Sequence, residues 1–261
     1  MEIPRRCADV TPRSWFTPVT MRLEIAAGIL VALSLLTSPA AELPPAQEII
    51  QRYIDATGGR AALEKLKTRV MSGKIEVLTM NVGGKFEVRA KAPNKQTSKM
   101  EFEAFGLMRE GFDGTVAWTQ APGQSARVKS GGELARVQRT TWFPRELRLS
   151  DAYARFETKG AAKIGTQDTW VVEATPTAGK PDKLHFDQKT GLLVREVSLV
   201  DTPIGALTFE IELSDYREFD GVKVPCSVRV PKPAEMGFHI KIDDVKHNVE
   251  LADSEFLKPK E

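Results

Sequence analysis

Cysteine is nearly absent: the 261 residues contain only Cys7 and Cys226. With Cys7 in a removable leader, Cys226 stands alone. An intramolecular disulfide and a thiolate zinc cluster are then both excluded. Charge of one sign is also lacking. The 37 basic and 35 acidic residues give a formal net charge of +2, which argues against a dedicated nucleic-acid binder. The chain carries no P-loop, dinucleotide glycine pattern, HExxH or G-x-S-x-G elbow. The usual sequence marks of nucleotide, zinc-peptidase and serine-hydrolase sites are therefore missing. No apolar run reaches the ~20 residues of a comfortable membrane span. Neither a cofactor nor a catalytic residue is expected. The sequence does hold 41% hydrophobic and 28% charged residues, enough to bury a core in one large domain.

The longest apolar stretch, Ile25 to Leu36, is about a dozen residues and reads as the hydrophobic region of a secretory signal peptide. Arg22 precedes it, and Ser38-Pro39-Ala40 supplies small residues for a cut after Ala40. Residues 1–40 are expected to be signal peptide and leader, with Met21 an alternative start, and 41–261 the mature domain. No Cys follows the hydrophobic region to carry a lipid anchor. The expectation is an exported, periplasmic or secreted protein whose mature chain does not span a membrane.

Leu43 to Lys67 has helical spacing: Ile49, Ile50, Tyr53 and Ile54 share a face, and Gly58-Gly59 ends the helix. From about Val70 the period changes to two. Phe86, Val88 and Ala90 alternate with charged residues; so do Met100 and Phe102, and Leu207, Phe209, Ile211 and Leu213. Val222, Val224, Cys226, Val228 and Val230 share one face, as do Phe238, Ile240 and Ile242. Such alternation belongs to antiparallel sheets with one wet face. Gly83-Gly84, Asp113-Gly114, Lys189-Thr190-Gly191, Pro203-Ile204-Gly205 and Asp220-Gly221 read as hairpin turns. The fold class is mainly β: a single antiparallel sheet of roughly ten strands. A sheet that wide curls into an incomplete β-barrel whose open side short helices plug.

Gly131 to Asp151 interrupts the β pattern as a basic amphipathic insertion, helical on both sides of Pro144. It reads as a lid. Leu134, Val137, Trp142 and Phe143 would lie over the open end of an apolar space, with Arg136, Arg139, Arg145 and Arg148 turned outward. The inward residues Val88, Phe102, Phe209, Ile211, Phe238 and Ile240 would line that space. Periodicity alone leaves open whether it is a ligand cavity or a filled core.

The chain resembles a known group at this point. The leader, the first helix ending in TGG, the β meander and the helical insertion are similar to the lipoprotein-localisation-factor superfamily of LolA and LolB. So are the segments GFDGTVAW (Gly111 to Trp118), FDQKTGLLVREV (Phe186 to Val197), YREFDGVKVP (Tyr216 to Pro225) and NVELADSEFLKP (Asn248 to Pro259). The resemblance implies an incomplete barrel with a helical lid holding acyl chains, with lipid or a lipidated protein as partner.

Candidate chemistry is sparse. His239, Asp243 and His247 would share a face of a regular strand but span roughly 27 Å, too far for one metal ion. Cys226 falls in register with buried valines and reads as an inert core thiol. The leading expectation is a non-enzymatic periplasmic carrier for lipid or lipoprotein acyl chains. The alternatives are an envelope assembly module that binds a protein partner through a sheet edge, and a hydrolase whose site leaves no motif.

Overall fold

The alternating segments pair in one long antiparallel meander. The computed structural model describes residues 42–80, 82–202, 205–232 and 237–260. The expected leader, its cut after Ala40 and the Pro203-Ile204 part of one expected turn lie outside these residues. Among them are thirteen strands: β1 (Thr68–Val77), β2 (Val82–Lys91), β3 (Lys95–Phe102), β4 (Gly106–Phe112), β5 (Ala117–Gln120), β6 (Arg127–Val128), β7 (Arg155–Ile164), β8 (Gln167–Thr175), β9 (Asp182–Asp187), β10 (Leu193–Thr202), β11 (Gly205–Phe219), β12 (Val222–Lys232) and β13 (Phe238–His247). Their order is β6-β5-β4-β3-β2-β1-β13-β12-β11-β10-β9-β8-β7. The edges β6 and β7 do not pair with each other, so the barrel stays incomplete.

Turn chemistry sets the registers. Phe219 pairs with Val222 around the two-residue loop Asp220-Gly221, whose φ angles of 51° and 77° suit the twist of the flanking strands. Gly83-Gly84 is not a turn. Both residues lie inside β2, opposite Glu76 and Ile75, and the loop falls earlier, after Val77. The missing side chain at Gly84 lets the Phe102 ring cross the strand. At Ser72/Gly73 the β1–β13 register shifts, so Asp243 becomes an extra residue between Ile242 and Asp244.

Four helices occupy the concave face and the open side: α1 (Ala46–Ala56), α2 (Arg60–Leu63), α3 (Gly131–Thr140) and α4 (Leu149–Ala152), with a 3-10 turn at Arg145–Leu147. The core has two lobes. Ala46, Ile49 and Tyr53 of α1 pack with Leu149 and Tyr153 on Val172, Leu184, Phe186 and Leu193, and the Tyr53 and Phe186 rings meet at 5.4 Å. Ile54, Leu63, Leu66 and Phe143 pack on Ile75, Ala90, Phe102, Val222, Val224, Cys226 and Ile240. Cys226 is buried, and burial pushes its thiol pKa up. The convex face is covered at one side by the chain end. Phe256 is fully buried there, and its carbonyl accepts from the Trp118 indole N–H at 3.1 Å.

Candidate functional site

Cross-strand partners share a face, so the registers place side chains in rows across the concave floor. One row runs Met108, Met100, Phe86; another runs Val82, Val77, Phe238, Val230. A third joins Phe102 through Gly84 to Ile75, Ile240 and Val228. Val77, Val82, Phe86, Met100, Met108, Val228 and Phe238 are only partly buried against the core below them. Past the ends of these strands, Leu78, Met80 and Phe105 are exposed. The upper concave floor is thus an apolar trough open toward the hairpin tips. Toward the other ends of β3 and β4 the floor turns polar: Glu110 pairs with Ser98, and Gln96 with Phe112.

The helical insertion brings charge inside, which overturns the expectation that its arginines face outward. The arc of α3 through Arg136, Arg139 and Thr140 faces the sheet. The Arg136 guanidinium lies over the Phe209 ring at 4.7 Å. Arg139 is 3.4 Å from Asp182, which also accepts from the Tyr153 hydroxyl at 2.7 Å. Arg145 bonds Glu196 at 2.6 Å. The physical reason lies in the floor: Glu196 and Asp182 are buried on the concave side, and a buried carboxylate needs a cation. Burial opposes ionisation of Glu196, but Arg145, Arg136 and Arg139 outweigh it and hold the carboxyl below its usual range. Arg148 is the one turned away from these carboxylates: it pairs with Asp151 and stacks on Trp142 at 5.0 Å.

A second network, running from buried Arg69 out to exposed Asp220, closes the lower end. Arg69 Nε donates to His247 Nε2 at 2.9 Å, the ring's Nδ1 lies 3.0 Å from Asp220 Oδ2, and the Arg69 guanidinium covers the Phe143 ring at 5.2 Å. A histidine that accepts at Nε2 carries its proton at Nδ1, toward Asp220. His239 lies on the other face, within 2.8 Å of the Ser227 hydroxyl. The bulge at Asp243 reverses the alternation, so His239 and His247 do not share a face as a regular strand would require. Among the described residues no group of three His, Cys, Asp or Glu side chains is arranged to hold a metal ion. None of their helices is long and apolar enough to cross a membrane.

The structure divides the ten residues expected to line a ligand space. Val88, Phe102, Phe143 and Ile240 are buried in the core; Phe238 is half-buried at the trough. Phe209 lies beneath Arg136, and Ile211 pairs with Glu196. Val137 flanks the inward arc of α3 and Leu134 lies on its opposite side; both are half-buried. Trp142 packs on the other core lobe. Sequence reasoning missed Glu196, Ser198 and Asp182. The available mark was two polar residues, Glu196 and Ser198, on the face of β10 that also carries Val194 and Val200. Beneath α3 two openings remain. One of about 110 Å³ lies against Gln96, Ser98, Glu110 and Arg136. One of about 240 Å³ lies against Phe112, Arg139, Trp142 and Thr177.

No protein-family model matches the sequence, and no curated protein matches it. Solved structures do match in fold. A DUF1329 family protein from Desulfovibrio piger is 16% identical, covering 82% of this chain and 98% of that one at a TM-score of 0.54. An outer membrane lipoprotein-sorting protein domain from Vibrio parahaemolyticus is 12% identical, covering 81% and 97% at 0.54. A LolA superfamily protein from Nitrosomonas europaea is 14% identical, covering 83% and 99% at 0.54. At such identities the likeness is one of architecture: the chain has the LolA-type fold, an unclosed antiparallel half-barrel with a helical plug.

Proposed function

We propose that this chain is an exported, non-enzymatic carrier for a hydrophobic ligand, a lipid or the acyl chains of a lipidated protein. One observation carries the reading. Rows of half-buried apolar side chains on the concave face, Met108–Met100–Phe86 and Val82–Val77–Phe238, run out to exposed Leu78, Met80 and Phe105. A concave apolar surface that its own core leaves partly uncovered suits a chain-like apolar occupant. The fold shared with a lipoprotein-sorting domain and a LolA superfamily protein supports the same class. Each buried CH₂ contributes ~0.8 kcal/mol, so a partly enclosed acyl chain suffices for micromolar binding. The openings beneath α3, about 110 and 240 Å³, are smaller than the roughly 300–1,000 Å³ of ordinary ligand pockets. An occupant of these openings larger than a small head group would need α3 to move away from the floor, whereas the trough is open without that movement. Mass spectrometry of lipids extracted from the protein purified out of its native envelope, beside titration with N-phenyl-1-naphthylamine, tests the proposal. Co-purified lipid and saturable probe binding, both reduced by Met100→Asp, are expected. Protein that carries no lipid and binds no probe would end the carrier reading.

A further inference from the structure

The buried charges under the plug do not balance. Among the described residues, Arg69, Arg136, Arg139 and Arg145 reach the interior, facing the carboxylates of Glu146, Glu196 and Asp182. Arg139 and Arg145 have ion-pair partners, and Glu146 acts on Arg69 electrostatically. Arg136 has no carboxylate within ion-pairing distance among the described residues. Its Nε is buried and has no hydrogen-bond partner. Glu196 feels Arg136 but is bonded to Arg145. One positive charge is left over, on a half-buried side chain whose Nε has no partner.

Arg136 also lines the opening of about 110 Å³ between α3 and the floor, with Gln96, Ser98, Lys129, Thr140 and Thr141. Glu110 faces the same space, but Lys129 neutralises it at 3.0 Å. One row further along β3 and β4, the floor becomes Met100 and Met108, the start of the apolar trough. A polar, cationic compartment thus adjoins an apolar one on the same two strands. Successive rows are two residues apart, or roughly 7 Å.

We propose that the ligand is an anionic single-chain amphiphile. Its carboxylate or phosphate head sits in the compartment beneath α3 against Arg136, with Ser98 and Gln96 as hydrogen-bond donors. Its tail runs over Met100 and Met108 toward Phe86 and the hairpin tips. This inference rests on the carrier reading and adds the chemistry of the head.

Displacement of N-phenyl-1-naphthylamine by hexadecanoate and by hexadecanol separates the two claims, because the neutral probe reports the trough whatever the head. Hexadecanoate should compete about tenfold or more better than hexadecanol, the gain expected from pairing a charged head. Hexadecyl phosphate should share that preference. Arg136→Met should bring acid and alcohol to equal strength while probe binding persists, with the Tm unchanged or higher since an unpaired charge is removed. Thr140→Glu puts a carboxylate on the same helix face as Arg136 and should likewise erase the preference for acid. If acid and alcohol compete equally with the wild type, or if both variants keep the preference, the anionic-head inference is overturned and the carrier reading stands. If the wild type binds no probe and neither competitor, both fall.

Discussion

His247 shows how one residue's surroundings decide its protonation. Its side chain is 1% exposed, and its Nε2 accepts from Arg69. A second ring proton would point at the Arg69 guanidinium. Burial first, then Arg69, push its pKa below the usual histidine value, against the pull of Asp220. An unfolded chain then binds the proton more readily than the folded one, so stability is complete above about pH 6.5 and falls as pH drops below it. The Tm should therefore decline from pH 7 to pH 5.5, and His247→Gln should flatten part of that decline. An unchanged slope in the variant would mean that another group controls it. Neighbouring aromatics on the insertion differ in the same local way. Phe143 is buried beneath Arg69, so Phe143→Ala should cost ~3–5 kcal/mol. Trp142 is half-buried under Arg148, and Trp142→Ala should cost ~1–2 kcal/mol yet weaken probe retention. Chemical denaturation beside probe titration checks the contrast.

At the scale of elements, the chain end and the insertion cover opposite faces. The segment after β13 straps the convex side of β1–β5. Asp253 lies 2.8 Å from Lys91 and 2.7 Å from Lys95, which hold its carboxyl at about 2. Glu255 pairs with Arg89. The exposed Asp253 contacts are screened by water and are worth little; burial of Phe256 is the larger effect. Phe256→Ala should destabilise by ~3–5 kcal/mol in urea, while Asp253→Asn should change stability by less than ~1 kcal/mol. Equal costs would show that the strap is held electrostatically. The α3 helix sits differently, on guanidinium contacts to Phe209 and Asp182 and close backbone approach of Gly132 to Asp201. Among its residues only Arg139 is fully buried, so its hold on the floor is chiefly electrostatic, and lifting it would cost the Asp182 pairing.

For the whole molecule, an open meander leaves two edges. β6 has two residues, too short to template pairing. β7 alternates exposed Arg155, Glu157, Ala161 and Lys163 with half-buried residues, and charges along an edge discourage strand addition. That weighs against assembly through a sheet edge. Replacing both Glu157 and Lys159 by Val should turn β7 into an association site, read as a shift to larger species in size-exclusion chromatography; wild type and variant eluting together would leave the edge charges without that role. If the proposed ligand binds, the occupied protein should also be more stable than the empty one. Ligand at a hundredfold excess over Kd adds ~2.7 kcal/mol, a Tm rise on the order of 5–10 °C.

Local pattern determined much of this protein. Period-two runs such as Phe86–Ala90 and Val222–Val230 specify strands because alternation is a property of neighbouring residues. Asp220-Gly221 specifies its hairpin because few residues tolerate positive φ. The helix at Ala46–Ala56 and the helical insertion broken at Pro144 were legible for the same reason, and the LolA-type half-barrel follows from joining such pieces. Short β5 and β6 left too little pattern to read, and the Asp243 bulge, set by pairing with β1, separated two histidines that the strand period alone would align. The direction of the insertion's arginines was decided only in three dimensions. Hydropathy sends Arg136, Arg139 and Arg145 to water, whereas Asp182 and Glu196, 43 to 51 residues further along, draw the latter two inward. Electrostatic pairing across such separations depends on which strands become neighbours, and no local period encodes it.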